Sequence, residues 1–449
     1  MIHLPDHVKD AIYILEQSGH TAFCVGGCVR DSLMGITPHD WDIATSAQPS
    51  ECLGIFKGFT VVPTGLQHGT VTVVADGHSL EITTYRIDGI YKDCRRPSKV
   101  YFTDSIKEDL GRRDFTVNAI AYNEKCGYID PFGGMDDIKR HILKAVGNAE
   151  ARFSEDALRI MRCVRFAAQL GFSVDANTKA AAVKLRQLLK SISTERIQAE
   201  LSKTLCGFYA EVAMREYSQI IFTIAPELHP MLLCHQETAY HCFDVWEHTL
   251  HAIGLSPPDL CVRLALLLHD SGKPGTKSIS ADGRVHFHRH SALSAQITQE
   301  LLHRLRYPVI TQRLVKSLVI LHNYQLPMKK ICIKRMLQRL GNEGFFLLMK
   351  VYAADISAQS PEFVGLRLSL LTETIGLAQA LIEANICLSL NQLAVKGKDL
   401  LALGCPPGKH IGCILEELLE LVLLEQLPNK RERLLKTASR RIAHIVAED

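Results

Sequence analysis

Two short segments near the N-terminus hold residues suited to phosphate and metal chemistry. An apolar run ends in Gly26 and Gly27, and because glycine has no side chain, backbone N–H groups can approach a phosphate closely there. Arg30 follows and adds a forked donor that fits phosphate oxygens. Asp40 and Asp42 stand two residues apart, so on a β-strand both carboxylates would face one side and bind divalent cations. The pattern predicts a site for a nucleoside triphosphate and the Mg²⁺ ions that activate it.

The elements that would position these residues form a mixed α/β region. We expect a strand to end at Val25 and a helix to begin near Val29. Apolar residues at strand spacing predict further strands at 59–62, 70–74 and 80–85. From about residue 139 leucines recur at helical spacing and strand signals nearly vanish. The sequence therefore predicts an α+β protein, in which a head with a mixed sheet is followed by helices.

Composition narrows the classes of protein that need to be considered. The chain has 449 residues, of which 47% are hydrophobic, so it can form more than one packed domain. Its net charge of +3 excludes a generally basic coat for nucleic acid, so any nucleic-acid surface must be local. We find no signal-peptide core and no apolar run long enough to span a membrane. The 14 cysteines lack metal-site spacing, which predicts reduced thiols in a cytoplasmic protein.

A second group of chemically suited residues lies on a predicted helix over residues 154–166. Asp156 and Arg159 stand three residues apart and would share one face, which Arg162 extends. In isolation this is a capped helix with a salt bridge. Beside a triphosphate, a carboxylate could accept from the amino group that cytosine and adenine share, while arginine donates to the ring nitrogen. Uracil and guanine present a carbonyl there and would be rejected.

These motifs resemble those of the class II tRNA nucleotidyltransferases, the CCA-adding enzymes, which rebuild the 3′ CCA end of tRNA without a nucleic-acid template. The likeness is dense over the first 200 residues and returns near 397–399 and 407–409. Five ordered motifs carry it: Gly26–Asp31, Asp40–Asp42, Asp88–Pro97, Gly111–Ala119 and Glu155–Arg159.

The resemblance implies a role for each matching residue. Asp40 and Asp42 would be catalytic and hold the metal ions. Glu81 is a candidate third carboxylate or an ordinary residue of a surface strand. The residues implied to bind the nucleotide are Gly26, Gly27 and Arg30 at the triphosphate, Arg113, Asp114 and Asn118 at the ribose and phosphate, Asp156 and Arg159 at the base, and Arg162 and Arg165 at the sugar and phosphate side.

The resemblance leaves the exact product open. The segment Asp88–Pro97 matches a flexible loop that enzymes adding only CC tend to lack, which favours full CCA addition from CTP and ATP, or addition of A alone. A bacterial poly(A) polymerase shares this head and is an alternative. A helical RNA-binding protein with an inactive head is another, although the intact pair Asp40 and Asp42 argues against it.

Histidines and aspartates in the helical half predict a second metal site. His248, the adjacent His269 and Asp270, and Asp355 occur in the order that resembles the HD metal-dependent phosphohydrolases. Imidazole and carboxylate ligands suit a divalent transition metal or Mg²⁺. Such a site would hydrolyse a phosphomonoester or a 2′,3′-cyclic phosphate, unless the helices persist only as packing.

These observations divide the chain into four predicted domains. The basic C-terminal helix around 429–441 would contact the phosphates of the tRNA body, which suits an enzyme that accepts all tRNAs. The domains are a nucleotidyltransferase head at 1–138, a helical neck for base recognition at 139–225, an HD-type helical domain at 226–365 and a helical tail at 366–449.

Overall fold

The computed structural model describes residues 2–66, 69–75, 77–89, 100–237, 240 and 242–448. The chain divides into two compact units. The first comprises Met1–Pro226 with Arg304–Arg306, and the second comprises Glu227–His303 with Tyr307–Asp449. The finer division into four domains stays a prediction.

A seven-stranded sheet in the order β3-β4-β5-β2-β1-β8-β9 is the centre of the first unit. Strand β1 is buried along its whole length, and Phe23, Val25 and Ala44 pack into the core together with Tyr85 and Leu110. The strands of this unit are β1 Ala22–Val25, β2 Asp42–Thr45, β3 Thr60–Gly65, β4 Thr70–Ala75, β5 His78–Thr84, β6 Arg86–Asp88, β7 Val100–Phe102, β8 Ala121–Asn123, β9 Gly127–Ile129, β10 Ile142–Leu143 and β11 Ser173–Val174.

The sheet brings two carboxylates side by side. Strand β2 pairs with β1 in antiparallel register and with β5 in parallel register, and Asp42 lies directly opposite Glu81. Side chains of paired residues on neighbouring strands point to the same face. The first residue of β2 therefore shares its face of the sheet with Glu81.

Eleven helices in the described residues of the first unit flank or follow this sheet. Helix α7 carries the residues of the predicted base-reading motif and is buried over most of its length. The helices are α1 Asp6–Gln17, α2 Gly27–Leu33, α3 Pro49–Ile55, α4 Ile106–Gly111, α5 Gly134–Lys139, α6 Ala149–Glu155, α7 Leu158–Leu170, α8 Ala176–Leu185, α9 Thr194–Leu205, α10 Ala210–Glu216 and α11 Ser218–Ile224.

The second unit is almost entirely helical. Its described helices are α12 Val245–Gly254, α13 Leu260–Leu268, α14 Lys273–Thr276, α15 His290–Arg304, α16 Val309–Leu321, α17 Lys330–Ser357, α18 Pro361–Glu383, α19 Gly397–Ala402, α20 Lys409–Leu423 and α21 Arg431–Glu448. Helix α17 is interrupted at Gly341, where φ is +69°. A short hairpin joins α14 to α15 through β12 Lys277–Ile279 and β13 Val285–Phe287.

Side-chain caps fix where the first two helices of this unit begin. Asp244 accepts a hydrogen bond from the backbone N–H of Glu247, and Asp259 accepts one from Val262. Caps of this kind satisfy N–H groups that have no partner inside the helix. They place His248 in the first turn of α12 and His269 directly after the last residue of α13.

The structure confirms the predicted α+β class and the strands around 60–65, 70–75 and 78–84. Two local predictions are wrong. Asp40 lies in a bend before β2 rather than on the strand, and the predicted helix over 154–166 is broken at Asp156, which is extended with φ −133° and ψ 101°. No helix in the described part of the chain has the length and apolar character needed to cross a membrane. The thirteen cysteines that the structure describes are free thiols.

Candidate functional site

The turn between β1 and α2 favours glycine at Gly26. Its φ is +80°, a backbone conformation that residues with a Cβ rarely adopt. A Cβ built there would lie 2.7 Å from Nη1 of Arg113. The absence of a side chain therefore keeps the Arg113 guanidinium close to the backbone of this turn.

Arg30 is buried in the wall beyond the turn and is held by two side chains. Its Nη1 donates to Oδ1 of Asn118 over 2.6 Å, and its Nε and Nη2 donate to Oδ1 of Asp31 over 2.8 and 2.7 Å. The guanidinium also lies 5.2 Å from the ring centre of Phe166. These contacts fix the side chain, so that it can meet an anion without first being ordered.

Three exposed carboxylates, those of Asp40, Asp42 and Glu81, lie near one another where β2 begins beside β5. The surrounding protein desolvates Asp42 and raises the pKa of its carboxyl group; Glu81 and Asp40 act in the same direction, whereas Arg113 opposes them. Like charges that raise a pKa are also charges that a cation would neutralise. Carboxylate oxygens are the ligands that Mg²⁺ prefers.

A cavity of about 560 Å³ opens between these carboxylates and helix α7. It brings together all the predicted nucleotide-binding residues and Asp42. Seven of its residues are arginines, so its charge suits a polyanion. The lining consists of Gly26, Gly27, Arg30, Asp42, Arg86, Arg112, Arg113, Asp114, Asn118, Asp156, Arg159, Arg162, Arg165, Phe166 and Gln169.

Asp114 organises the middle of this cavity. Its Oδ1 accepts hydrogen bonds from the backbone N–H of Phe115 at 2.9 Å and from Nδ2 of Asn118 at 3.1 Å, and its Oδ2 accepts one from Nε of Arg162 at 2.7 Å. Burial opposes its charge, but Arg162 and Asn118 outweigh burial and lower the pKa of Asp114 to about 2. The carboxylate is thus ionised at neutral pH and positions both of its partners.

Asp156 and Arg159 line the same cavity, but their side chains are hydrogen-bonded to other partners. Asp156 accepts from the backbone N–H of Leu158 at 3.1 Å and from Nη2 of Arg196 at 3.0 Å. Arg159 donates to Oε2 of Glu155 at 2.8 Å and to the carbonyl oxygen of Arg112 at 2.8 Å. Each side chain is oriented by other partners, which leaves the two groups separate in the wall of the cavity.

Phe166 is a residue that sequence reasoning missed. Three arginines surround its ring, with Arg165, Arg30 and Arg162 at 4.2, 5.2 and 5.3 Å from the ring centre. Burial and the neighbouring Arg162 lower the pKa of Arg165 to about 10, although Glu200 opposes this. The signal in the sequence was an aromatic residue directly after Arg165 on the helix that carries Arg162. Arg86, Arg112 and Gln169 also line the cavity and were not assigned.

The second unit brings the four predicted ligands of the helical half together. Nε2 of His248 lies 2.8 Å from Oδ1 of Asp355, and Nε2 of His269 lies 3.6 Å from the same oxygen and 3.2 Å from Oδ2 of Asp270. All four side chains are at most 12% exposed. Two imidazoles and two carboxylates that converge in this way form a donor set for a divalent transition metal.

Two further histidines complete this cluster. Nε2 of His290 and Nε2 of His322 lie 3.3 Å apart and 3.4 and 3.7 Å from Oδ1 of Asp270. Lys273 donates to Gln236 over 2.7 Å and lies 2.6 Å from Oδ2 of Asp270. A cavity of about 700 Å³ opens onto this cluster.

The charges of the cluster are strongly coupled. Burial disfavours the charged form of His269, but Asp270 and Asp355 outweigh it and raise its pKa to about 10. His290 shows the opposite shift. Burial lowers its pKa, and although Asp270 opposes this, His322 and Lys273 act with burial, so that the pKa is about 4. The cluster therefore holds imidazoles of very different basicity around the same two aspartates.

The predicted loop Asp88–Pro97 falls almost entirely outside the described residues, which resume at Val100. Strands β6 and β7 pair on either side of it. The interpretation of this loop as a determinant of A addition stays a prediction.

Three family models match separate parts of the chain. The model described as Poly A polymerase head domain matches residues 22–144, and that described as Probable RNA and SrmB- binding site of polymerase A matches residues 171–232. The model described as tRNA nucleotidyltransferase domain 2 putative matches residues 288–438.

Curated relatives match about half of this chain. The CCA-adding enzyme of Leuconostoc mesenteroides subsp. mesenteroides is 47% identical over 220 residues, which are 47% of this chain and 54% of that protein. The CCA-adding enzyme of Lactobacillus delbrueckii subsp. bulgaricus is 50% identical over 203 residues, which are 45% of this chain and 51% of that protein. The chain thus spans about half the length of the curated relatives it matches.

Solved structures match the whole chain. The Thermotoga maritima CCA-adding enzyme complexed with tRNA is 19% identical with a TM-score of 0.56 and shares the fold. The Bacillus stearothermophilus CCA-adding enzyme in complex with CTP is 30% identical, with a TM-score of 0.73 over 99% of this chain and 98% of that one. Because of this identity over nearly the whole of both chains, the chain belongs to the class II tRNA nucleotidyltransferases, the family of CCA-adding enzymes.

Proposed function

We propose that this protein adds CCA to the 3′ end of tRNA, using CTP and ATP as substrates. The observation that carries the proposal is the cavity that places seven arginines next to the carboxylate of Asp42. The relatives named CCA-adding enzymes and the similar structure in complex with CTP support tRNA and CTP as substrates, and ATP is the donor that addition of the final A would require.

The proposed reaction is attack of the tRNA 3′-hydroxyl on the α-phosphate of the nucleotide, with release of pyrophosphate. Arg30, Arg113 and Arg162 would bind the triphosphate oxygens, and the rigid contacts of Arg30 and Arg162 orient them in advance. Asp40 and Asp42, with Glu81 beside them, would hold Mg²⁺, which supplies charge stabilisation at the reacting phosphate when bound.

The remaining residues of the cavity would select the sugar and the base. Asp114 and Asn118 are hydrogen-bonded to each other and would contact the ribose. Asp156 would accept from the amino group of cytosine or adenine, and Arg159 would donate to the ring nitrogen. Because one pair reads both bases, the switch from C to A must come from a change in the shape of the cavity.

The tRNA body would be bound through phosphate contacts. Helix α21 exposes Arg433, Lys436 and Arg440 along its length. Phosphate contacts give affinity without reading sequence, as an enzyme that accepts every tRNA requires.

One assay separates this function from its alternatives. Purified protein is incubated with tRNA that lacks CCA, first with labelled CTP alone and then with ATP added. We expect two C residues and then one A. Incorporation of A alone indicates an A-adding enzyme, long A tails on arbitrary RNA indicate a poly(A) polymerase, and no incorporation of either nucleotide contradicts the transferase.

The base-reading pair can be tested in the same assay. Replacing Asp156→Ala removes the acceptor for the amino group, so we expect discrimination of CTP against UTP to fall about tenfold to a hundredfold. Glu150→Ala, which removes an exposed carboxylate paired with Lys184, is the control and should discriminate like the unmodified protein.

A second proposed activity is metal-dependent phosphohydrolysis in the helical half. The convergence of His248, His269, Asp270 and Asp355 supports it, because these groups would hold a divalent ion, and such an ion would supply charge stabilisation and activation of water at neutral pH. Addition of water to a phosphomonoester or a 2′,3′-cyclic phosphate would break one P–O bond, and the oxygen that leaves would take up a proton as a free hydroxyl group. Hydrolysis of cyclic 2′,3′-AMP with added Mn²⁺ or Co²⁺ tests this activity, and its absence with every ion would contradict the proposal.

A further inference from the structure

One buried carboxylate behind the wall of the nucleotide cavity is not used by the proposed reaction. Asp109 lies in the short helix α4, and none of its side-chain surface is exposed. Among the described residues, those that line the cavity do not include Asp109. A buried charge is costly unless it is hydrogen-bonded and paired with an opposite charge. The partners of this carboxylate therefore indicate what it does.

Three arginines that line the cavity donate hydrogen bonds to Asp109. Its Oδ1 accepts from Nε and Nη2 of Arg112 at 3.0 and 2.8 Å, and from the backbone N–H of Arg86 at 3.3 Å. Its Oδ2 accepts from Nη2 of Arg113 at 3.4 Å. Burial would raise the pKa of the Asp109 carboxyl, but Arg112 and Arg113 outweigh burial and keep this pKa below its usual range. The group is therefore ionised at neutral pH and accepts from all three residues.

The guanidinium of Arg113 lies between this carboxylate and the glycine turn. On one side, its Nη1 would be 2.7 Å from a Cβ built at Gly26. On the other side, its Nη2 contacts Asp109. Its Nε is buried and has no hydrogen-bond partner among the described residues. Asp109 therefore sets the direction of a cation beside the turn whose backbone N–H groups can approach a phosphate.

Arg112 carries the same support to the arginine that would read the base. Its side chain is held by Asp109 through two nitrogens. Its backbone carbonyl oxygen accepts from Nη2 of Arg159 at 2.8 Å. Because Arg112 directly follows the last residue of α4, the contact with Asp109 ties this carbonyl to the end of the helix. One carboxylate thus supports both the turn and the position of Arg159.

We propose that Asp109 is a positioning residue for nucleotide binding, because its buried carboxylate orients Arg112 and Arg113 in the wall of the cavity before the triphosphate enters. The inference rests on the proposed function, in which this cavity binds a nucleoside triphosphate. Asp109 itself would not touch the nucleotide. Side chains that are already ordered lose less freedom when a ligand binds, so removal of the carboxylate should weaken nucleotide binding.

The test measures the dissociation constant of CTP for the full-length protein by equilibrium dialysis without tRNA. Asp109→Asn keeps the shape of the side chain but replaces one acceptor oxygen by a donor that faces arginine donors. We expect the dissociation constant to rise about tenfold to a hundredfold. Asp104→Asn is the matched control, because Asp104 is exposed and precedes the same helix, and it should bind CTP like the unmodified protein.

A double-mutant cycle separates positioning from a general loss of structure. Arg113→Gln removes one of the groups that Asp109 orients. In that background Asp109→Asn should therefore weaken CTP binding by a clearly smaller factor than it does in the unmodified protein. Equal factors in the two backgrounds, or an unchanged dissociation constant in Asp109→Asn alone, would overturn the positioning role.

A variant that keeps the buried charge covers the case in which Asp109→Asn does not fold. Asp109→Glu retains the carboxylate, but its longer side chain would displace both guanidinium groups, so we expect the dissociation constant to rise about tenfold. An unchanged value would again overturn the proposal. CTP binding without any addition to tRNA would contradict the proposed function alone, whereas absence of CTP binding by the unmodified protein would contradict both.

Discussion

The two candidate sites of this protein handle charge in opposite ways. The cavity of the first unit has seven arginines and three aspartates in its lining, and its exposed carboxylates lie at the start of strand β2. The cluster of the second unit has four histidines and two aspartates, all buried. The first surrounds a place for a polyanion, and the second surrounds places for cations.

This difference explains how firmly each site is preformed. In the first unit, the arginines are spaced by hydrogen bonds to Asp31, Asn118 and Asp114, so the cavity stays open before a triphosphate enters. In the second unit, histidine nitrogens and aspartate oxygens face one another directly. A site for an anion can be stable without its ligand, whereas a buried cluster of metal-ligating groups gains stability when its ion binds.

The largest loss of activity in the first unit is expected from a substitution at Asp42. We expect Asp42→Asn to lower CMP incorporation into tRNA about a thousandfold, because it weakens the metal ligands at the reacting phosphate. Cobalt binding in the second unit should not change. Asp136→Asn, which removes an exposed carboxylate near Lys139, is the matched control and should retain full incorporation.

A substitution at Asp270 should affect the second unit alone. We expect Asp270→Asn to lower metal-dependent hydrolysis of cyclic 2′,3′-AMP about a hundredfold, since this carboxylate would be a ligand of the metal ion and contacts His269 and His290. CCA addition measured in parallel should be unchanged. Hydrolysis that survives in purified Asp270→Asn would show that another site, or another protein, is its source.

A change of pH should affect the first unit through Asp114. Its pKa of about 2 lies below that of an unfolded aspartate, so its contribution to stability is complete above about pH 4 and is lost as the pH falls towards 2. The difference in pKa corresponds to about 2 kcal/mol. We therefore expect Asp114→Asn to lower the free energy of unfolding at pH 6 by this order, and the gap to close towards about pH 2.5.

Tryptophan fluorescence can isolate this effect. The chain has two tryptophans, Trp41 in the first unit and Trp246 in the second. Urea unfolding followed in a Trp246→Phe background reports the surroundings of Trp41. If the Asp114→Asn variant differed from its parent by a constant amount over this whole pH range, the assigned ionisation would be contradicted.

The smallest effect is expected at the glycine turn. Gly26→Ala adds a Cβ that must displace the Arg113 guanidinium, so we expect KM for CTP to rise about tenfold, or about 1.4 kcal/mol. Gly35→Ala is the matched control, because Gly35 has a φ of +74° but open space around its Cβ position. Equal increases in the two variants would assign the effect to backbone strain alone.

The spacing of apolar residues and glycines in the sequence correctly predicted the strands and the turn of the first unit. The strand ending at Val25, the glycine turn and the strands of the sheet follow from apolar spacing and from glycine, and they lie where expected. The position of Asp40 was wrong, because only the residues from Asp42 onward pair with neighbouring strands. Strand spacing cannot reveal which residue begins the pairing.

Contacts between distant residues account for the other differences. The break at Asp156 accompanies its ion pair with Arg196, forty residues later, and no local feature of a helix-forming segment indicates it. The approach of His290 and His322 to Asp270 depends on how helices α13, α15 and α16 pack. Sequence spacing indicates ligands within one helix far better than ligands from three.

The four histidines of the cluster each contact a backbone carbonyl through Nδ1, and these contacts differ in how far apart the two residues lie in the sequence. His269, His290 and His322 each turn towards a carbonyl three residues earlier, so a single turn of chain sets the direction of each ring. His248 depends instead on Ala358, 110 residues away. The rings of these three histidines are therefore oriented within their own segments, whereas the ring of His248 is oriented by the end of α17. A metal ion bound by His248 would accordingly depend on the packing of α17 against α12.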